Sequence, residues 1–472
     1  MADHFPPPTN SSTSWLRLGL LLALVAATGL LLGIASGPAL RRYERQPRQA
    51  ADIILCGDVF YRAGEFVQQQ SRLDSGVAWY AGYLLSQRGL GIWERQTLRP
   101  GPDPDALLRM GIVYSRTGYV AQGREALQAA GVADQDHYGL YWSLIRLYAG
   151  EKQDAPELLG LPDLLAEHPR WVGDLVAVDL YSRLGTPAAA KEAREKWQAH
   201  LNRFGLVLAL LEMVVAALAI GGVILVLSGL ARRTLTLSPR RWRAPLRVPW
   251  GLWEATEVFT VVIFLLVAVS VGRSLLPGQA VSGAAAAAAM LAAYCLYMGA
   301  AVGMVWRRAA VSPRPWRLLG LRPLPLGETL RPALRAYALL VFLLTPLGLY
   351  ASHHYLASTS VLFRGHDTPA TYALYFVLVC VIAPVAEEII FRGFIYGGLR
   401  RYFAPGGAAL VSALAFTGAH LPTPSVGALL VVALGVALAL LYENTRSIVP
   451  GILVHALHNT LVFAVMFAVM SL

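Results

Sequence analysis

Long apolar runs alternate with short basic connectors along most of this chain, and one long polar stretch interrupts them near the start. The first run, from about Trp15 to Ile34, has the length of about 20 residues that carries an α-helix across a bilayer. Ala35-Ser36-Gly37 would serve as a small-residue cleavage site, but the length favours an uncleaved anchor over 15–36 behind a cytoplasmic tail, 1–14. Further runs lie near Phe204–Leu230, Trp253–Leu276, Val281–Trp306, Leu330–Tyr350, Tyr372–Leu399, Gly406–His420, Val426–Tyr442 and Ile448–Leu472. The pattern predicts an all-α fold: a polytopic membrane helix bundle with a soluble helical domain near its N-terminus. Residues 37–203 form that domain, 204–230 a transmembrane helix, 231–252 a basic cytoplasmic connector and 253–472 the remaining bundle.

The connectors set the orientation. Arginines cluster after every second run, at Arg232 to Arg247, Arg307 to Arg322, Arg400-Arg401 and Arg446. Basic residues flank membrane helices mainly on the cytoplasmic side, so these connectors are expected there and the soluble domain outside the cytoplasm. Arg41, Arg42, Arg45 and Arg48 argue the other way, but long domains cross largely regardless of flanking charge.

Within the polar stretch, Tyr80, Tyr114, Tyr148 and Tyr181 recur at intervals of 34, 34 and 33 residues, and Tyr-Ser-Arg-x-Gly occurs at both Tyr114 and Tyr181. A 34-residue period fits stacked helix pairs, and Met110-Gly111-x-x-Tyr114 with Gly118 and Ala126 resembles a tetratricopeptide repeat. An irregular helical domain with chance tyrosine spacing is the alternative. The close pairs Gly299/Gly303 and Gly393/Gly397 have the spacing that lets membrane helices pack tightly.

Composition agrees with the pattern: 56% of residues are hydrophobic and 15% charged. The net charge of +11 is mostly arginine at the ends of apolar runs, which reads as membrane anchoring rather than nucleic-acid binding. Cys56, Cys295 and Cys380 are spaced for neither a disulfide framework nor a CxxC metal site. The chain is expected to be an integral, multi-pass protein of a bacterial plasma membrane.

Ionisable groups inside a bilayer are costly and mark function. Glu387-Glu388-x-x-x-Arg392 lies within an apolar run. Glu388 and Arg392 stand four apart with the acid first, the favourable order for an ion pair on a helix. Glu387 then points roughly 100° away without a partner of its own. A carboxylate in that position suits a general base. Phe416-Thr417-Gly418-Ala419-His420 closes a short run, and His455-Ala456-Leu457-His458-Asn459 begins the last. His455 and Asn459 share one helical face, where two donors could hold an oxyanion or make helix–helix hydrogen bonds. His458 stands one position off that face. Glu387 lies roughly 24 Å along its helix from Tyr372, and His420 further out on the next, so a tilt or a helix break must bring them to one water.

These motifs together, in this order, resemble the CPBP family (CAAX proteases and bacteriocin-processing proteins, also called the Abi family) over about 369–465; the segment Trp316 to Leu321 is similar to the stretch preceding the family core. The resemblance implies a glutamate-dependent intramembrane endopeptidase without a metal cofactor. It implies that Glu387 activates water, His420 holds it, and His455 with Asn459 stabilises the oxyanion, with Glu388 and Arg392 in support. The implied partners are a peptide or protein substrate, including lipidated ones, and the bilayer itself, with no nucleic acid. The N-terminal domain would then present a substrate or bind a protein partner.

Three alternatives use the same residues: a scaffold or bacteriocin-immunity protein without catalysis, a zinc protease, and a transporter with a proton relay. His-Glu-x-x-His is absent, His353-His354 lacks a suitably placed acid, and no Gly-x-Ser-x-Gly elbow occurs. No inverted repeat accompanies the polar cluster.

Overall fold

The computed structural model describes residues 47–70, 76–97, 103–149, 158, 160–165, 168–231, 248–275, 284–351, 368–420 and 425–471. The expected N-terminal tail and anchor, most of the basic connector at 231–252, and His353-His354 lie outside the described residues. Among the described residues every regular element is helical. They divide into two compact units, one within 43–213 and the other formed mainly by 214–350 and 368–463.

The first unit begins with α1 (Pro47–Gln70) packed on α2 (Gly76–Thr97), followed by α3 (Pro104–Arg116) packed on α4 (Val120–Ala133). α5 (Tyr138–Ala149) and α6 (Arg170–Arg183) complete it with the first turns of α7 (Pro187–Ala231). Asp103 caps α3 by accepting from the backbone N–H groups of Asp105 and Ala106, with Pro104 at the first helical position, where its missing N–H costs nothing.

The repeated Tyr-Ser-Arg-x-Gly has a structural meaning. In both copies the helix ends at the arginine, and the glycine, Gly118 or Gly185, takes a left-handed φ of 93° or 66°. The residue after it closes a wide turn, Tyr119 N–H to Tyr114 C=O and Thr186 N–H to Tyr181 C=O. That is the helix-ending turn glycine favours. The four-tyrosine series is different: Tyr80 is 56% exposed and Tyr148 4%, so they do not occupy equivalent positions.

A polar network sits in this otherwise apolar core. Arg109 grips Asp58, Nε to Oδ1 at 2.8 Å and Nη2 to Oδ2 at 3.3 Å, and the Trp171 indole N–H donates to Oδ2 at 3.2 Å. Burial pushes the Asp58 carboxyl up, while the Arg109 and Arg62 guanidiniums pull it back. The network ties α1, α3 and α6 at one point, amid Tyr61, Trp93 and Leu108.

The second unit contains the later turns of α7, then α8 (Leu252–Leu275), α9 (Ala284–Ala309), α10 (Leu326–Ala351), α11 (Pro369–Leu399), α12 (Pro405–Gly418), α13 (Ser425–Thr445) and α14 (Val449–Ser471). Among the described residues five helices are long and apolar enough to cross a membrane: Pro187–Ser228, Leu252–Val269, Ala287–Ala309, Pro369–Leu399 and Ala428–Thr445. Because α7 is continuous from Pro187, the expected boundary at residue 203 falls inside a helix.

α11 is the central helix. Its most apolar window is 61% buried, against 17% for α8 and for α9. Gly393 explains part of the fit, since a Cβ there would lie 2.5 Å from the Leu319 carbonyl oxygen. Gly299 and Gly303 differ from expectation: a Cβ on either would meet nothing within 4 Å, so that face of α9 packs on no described residue. The connector Trp316–Leu321 is pinned by the Ile448 N–H on the Gly320 carbonyl, with Gly320 at a φ of 75°.

Asp58→Ala should destabilise the first unit by about 3–5 kcal/mol, because it strands the Arg109 guanidinium in the core. Urea unfolding of the full chain in detergent, followed by tryptophan fluorescence, measures this. The double substitution of Asp58 and Arg109 by leucine and methionine should cost less than Asp58→Ala alone.

Candidate active site

α11 is not a uniform α-helix. Val377–Ile382 and Glu388–Tyr396 are wound as π-helix, with the five residues Ala383–Glu387 α-helical between them. Such wide turns are rare and are frequent at functional sites. Pro384 accounts for an unmet carbonyl in the first. In the wide register the Ala383 N–H bonds the Leu378 carbonyl, so the next carbonyl, Val379, would need an N–H from residue 384. Proline has none. The Asn459 amide of α14 donates to Val379 O instead, at 2.8 Å. Neighbouring helices commonly satisfy backbone groups freed by proline in this way. Ser412 Oγ likewise donates to Phe391 O, and Trp250 Nε1 to Phe394 O, each at 2.9 Å.

Glu388 and Arg392 pair as their spacing predicted, Oε1 to Nη1 at 2.7 Å, with both side chains fully buried. Nη2 donates to the Gly435 carbonyl at 3.3 Å, and the guanidinium lies 4.4 Å above the centre of the Phe416 ring. A Cβ at Gly435 would crowd Ala413 at 2.8 Å. Phe416 in turn packs against the rings of His420, 4.5 Å away, and His455, 5.6 Å away. One phenyl ring thus abuts the ion pair and both histidines.

His455 lies between the two glutamates. Nδ1 is 3.3 Å from Glu388 Oε1, and Nε2 is 3.7 Å from Glu387 Oε2. Glu387 was expected to lack a partner on its own helix, and its partner comes from α9. The Tyr294 hydroxyl donates to Oε1 at 2.8 Å. Glu387 and His420 line one cavity of about 200 Å³ with Tyr294, Tyr297, Met298 and Phe391. His420 Nδ1 is 2.8 Å from the Phe416 carbonyl. A carbonyl only accepts, so Nδ1 carries the proton in that bond. The difference in depth expected between Glu387 and His420 does not keep them apart, because α12 ends at Gly418 and returns His420 to the wall of α11.

Asn459 has one amide N–H already committed to Val379 O. A primary amide has a second. His458 packs edge-on to Tyr337 of α10, 6.2 Å away. Among the described residues no cluster of three or more His, Cys, Asp or Glu side chains is arranged to hold a metal ion.

Two features escaped the sequence reading. Tyr294 and Tyr297 stand one turn apart in an alanine-rich run, and hydroxyls at that spacing in an apolar helix were the available signal. Glu443 is 1% exposed and held by Tyr396 Oη at 2.7 Å, Arg400 Nε at 3.0 Å and Arg446 Nη2 at 2.9 Å. A lone acid closing the apolar run of α13 was its signal. It anchors the α13–α14 turn, where Arg446 takes a φ of 56°.

Residues 369–461 match the family model described as Type II CAAX prenyl endopeptidase Rce1-like, in agreement with the resemblance read from the sequence. The match takes in Glu387, Glu388, Arg392, His420, His455 and Asn459. No curated protein and no solved structure matches the chain.

If Asn459 completes the gap left by Pro384, the two should be coupled. Asn459→Leu should lower the thermal midpoint in the native background, by the roughly 1–3 kcal/mol of an unmet buried carbonyl. In a Pro384→Ala background, which restores the N–H, the same change should cost less. Additive losses in this double-mutant cycle would separate them.

Proposed function

From an Rce1-like core we propose that the chain is an intramembrane endopeptidase in which Glu387 activates a water for attack on a peptide bond. The observation that carries this reading is that Glu387 of α11 and His420, just past the end of α12, line one small cavity in an apolar bundle. His420, on the wall of the same cavity and oriented by the Nδ1 contact to Phe416 O, holds that water. Glu387 takes the water's proton as the oxygen attacks the scissile carbonyl, then passes it to the leaving amine. His455 and Asn459, one turn apart on α14, stabilise the oxyanion. Glu388 and Arg392 hold the scaffold, since their mutual pairing in the interior fixes α11 against α13 and α12. The reaction needs no metal in this scheme.

The substrate class is a membrane-associated peptide or protein tail of the CAAX type, lipidated or not. The helical N-terminal unit lies outside the cytoplasm by the arginine pattern and presents a tethered protein substrate or a partner.

Cleavage of a quenched CAAX-type peptide library by the chain in liposomes should fall roughly 100- to 10,000-fold in Glu387→Gln. A zinc chelator should leave the wild-type rate unchanged. Inhibition by chelator would move the chemistry to a metal, and full activity in the variant would remove Glu387 from the reaction. Deleting residues 41–203 behind the first anchor should abolish cleavage of a membrane-tethered protein substrate while sparing a short peptide. Equal loss of both would refute a presenting role for the N-terminal unit.

A further inference from the structure

We infer that Tyr294 is a positioning residue for Glu387, whose phenol fixes one carboxylate oxygen and leaves the other to take the proton from water. The inference deepens the protease reading and rests on it for its catalytic meaning.

Tyr294 reaches the site from α9, a helix outside the segment that matches the family model. The ring is half-buried, and its hydroxyl donates to Glu387 Oε1 at 2.8 Å. Tyr297, one turn further along, meets it edge-on at 5.0 Å between ring centres and is itself 9% exposed. Apolar side chains of α8, Val262 and Leu266, complete that wall of the cavity. The phenol is therefore braced by packing.

The two oxygens of Glu387 are made unequal by this contact. Oε1 is engaged by the phenol, whereas Oε2 is 3.7 Å from His455 Nε2, beyond hydrogen-bond distance. A glutamate has three rotatable side-chain bonds, and without a fixed donor its carboxylate would turn among several orientations. The orientation fixed by the phenol sets Glu387 on the cavity wall it shares with His420. The hydrogen bond selects an orientation and keeps it ready before substrate arrives, which is how a catalytic group gains rate from geometry.

A residue that only orients the base should alter turnover and leave substrate binding alone. Tyr294→Phe removes the hydroxyl and keeps the ring. With the quenched CAAX-type peptide in liposomes, kcat should fall about 10- to 100-fold, the scale of a hydrogen bond to a charged group. KM and the melting temperature should stay at wild-type values. Infrared difference spectra of chain labelled with carbon-13 glutamate, wild type minus Glu387→Gln, isolate the Glu387 carboxyl band. That band should shift in Tyr294→Phe. A raised KM at constant kcat would make Tyr294 a substrate contact and overturn the inference, as would an unmoved band. If the wild type cleaves nothing, the protease reading fails on its own, and the band still decides whether Tyr294 orients Glu387.

Discussion

An ion pair buried in an apolar bundle dictates most of what surrounds it. Glu388 and Arg392 are both fully enclosed, and a charge taken from water without good partners costs several kcal/mol. The pair cannot rely on mutual attraction alone. Arg392 also finds the Gly435 carbonyl and the face of Phe416, and Glu388 is approached by His455. Each of those partners brings a further helix: α13, α12 and α14. Gly435 is small because a Cβ there would crowd Ala413 at 2.8 Å, with the guanidinium in contact beside it at 3.5 Å. The ion pair thus draws in a backbone carbonyl, a phenylalanine and a histidine from helices distant in sequence.

The backbone of α11 imposes the second constraint. A proline and wide turns in a membrane helix leave carbonyls that water cannot reach, and each must find a donor within the protein. Asn459, Ser412 and Trp250 meet the carbonyls of Val379, Phe391 and Phe394. The donors come from the helices already drawn in by the ion pair and from the entry to α8. Polar side chains that look catalytic by composition are therefore partly occupied with holding the helix open. Asn459 does both in the proposed scheme, one N–H to the backbone and the other to the reaction.

The N-terminal unit solves a similar problem with different means. Its buried Asp58 is held by Arg109 and Trp171 from two other helices. There too a polar centre sets which helices meet, inside a core of tyrosine, tryptophan and leucine. Its helix ends are set locally, by glycines in left-handed turns that follow the same Tyr-Ser-Arg sequence twice.

Local periodicity and spacing were enough to show a helical membrane protein with a helical polar domain and the Glu388–Arg392 pair. These depend on residues within a turn or two of one another, where backbone geometry leaves few choices. The approach of His420 to Glu387, the bridging place of His455, the Tyr294 contact and the commitment of Asn459 to Val379 were decided only in the tertiary structure. Each joins residues from different helices, and helix geometry alone does not say which faces will meet. Pro384 was the nearest thing to a written clue, because a proline there leaves a carbonyl unmet. Which side chain would answer it depended on α14 packing beside α11, and packing is set by every contact in the bundle at once.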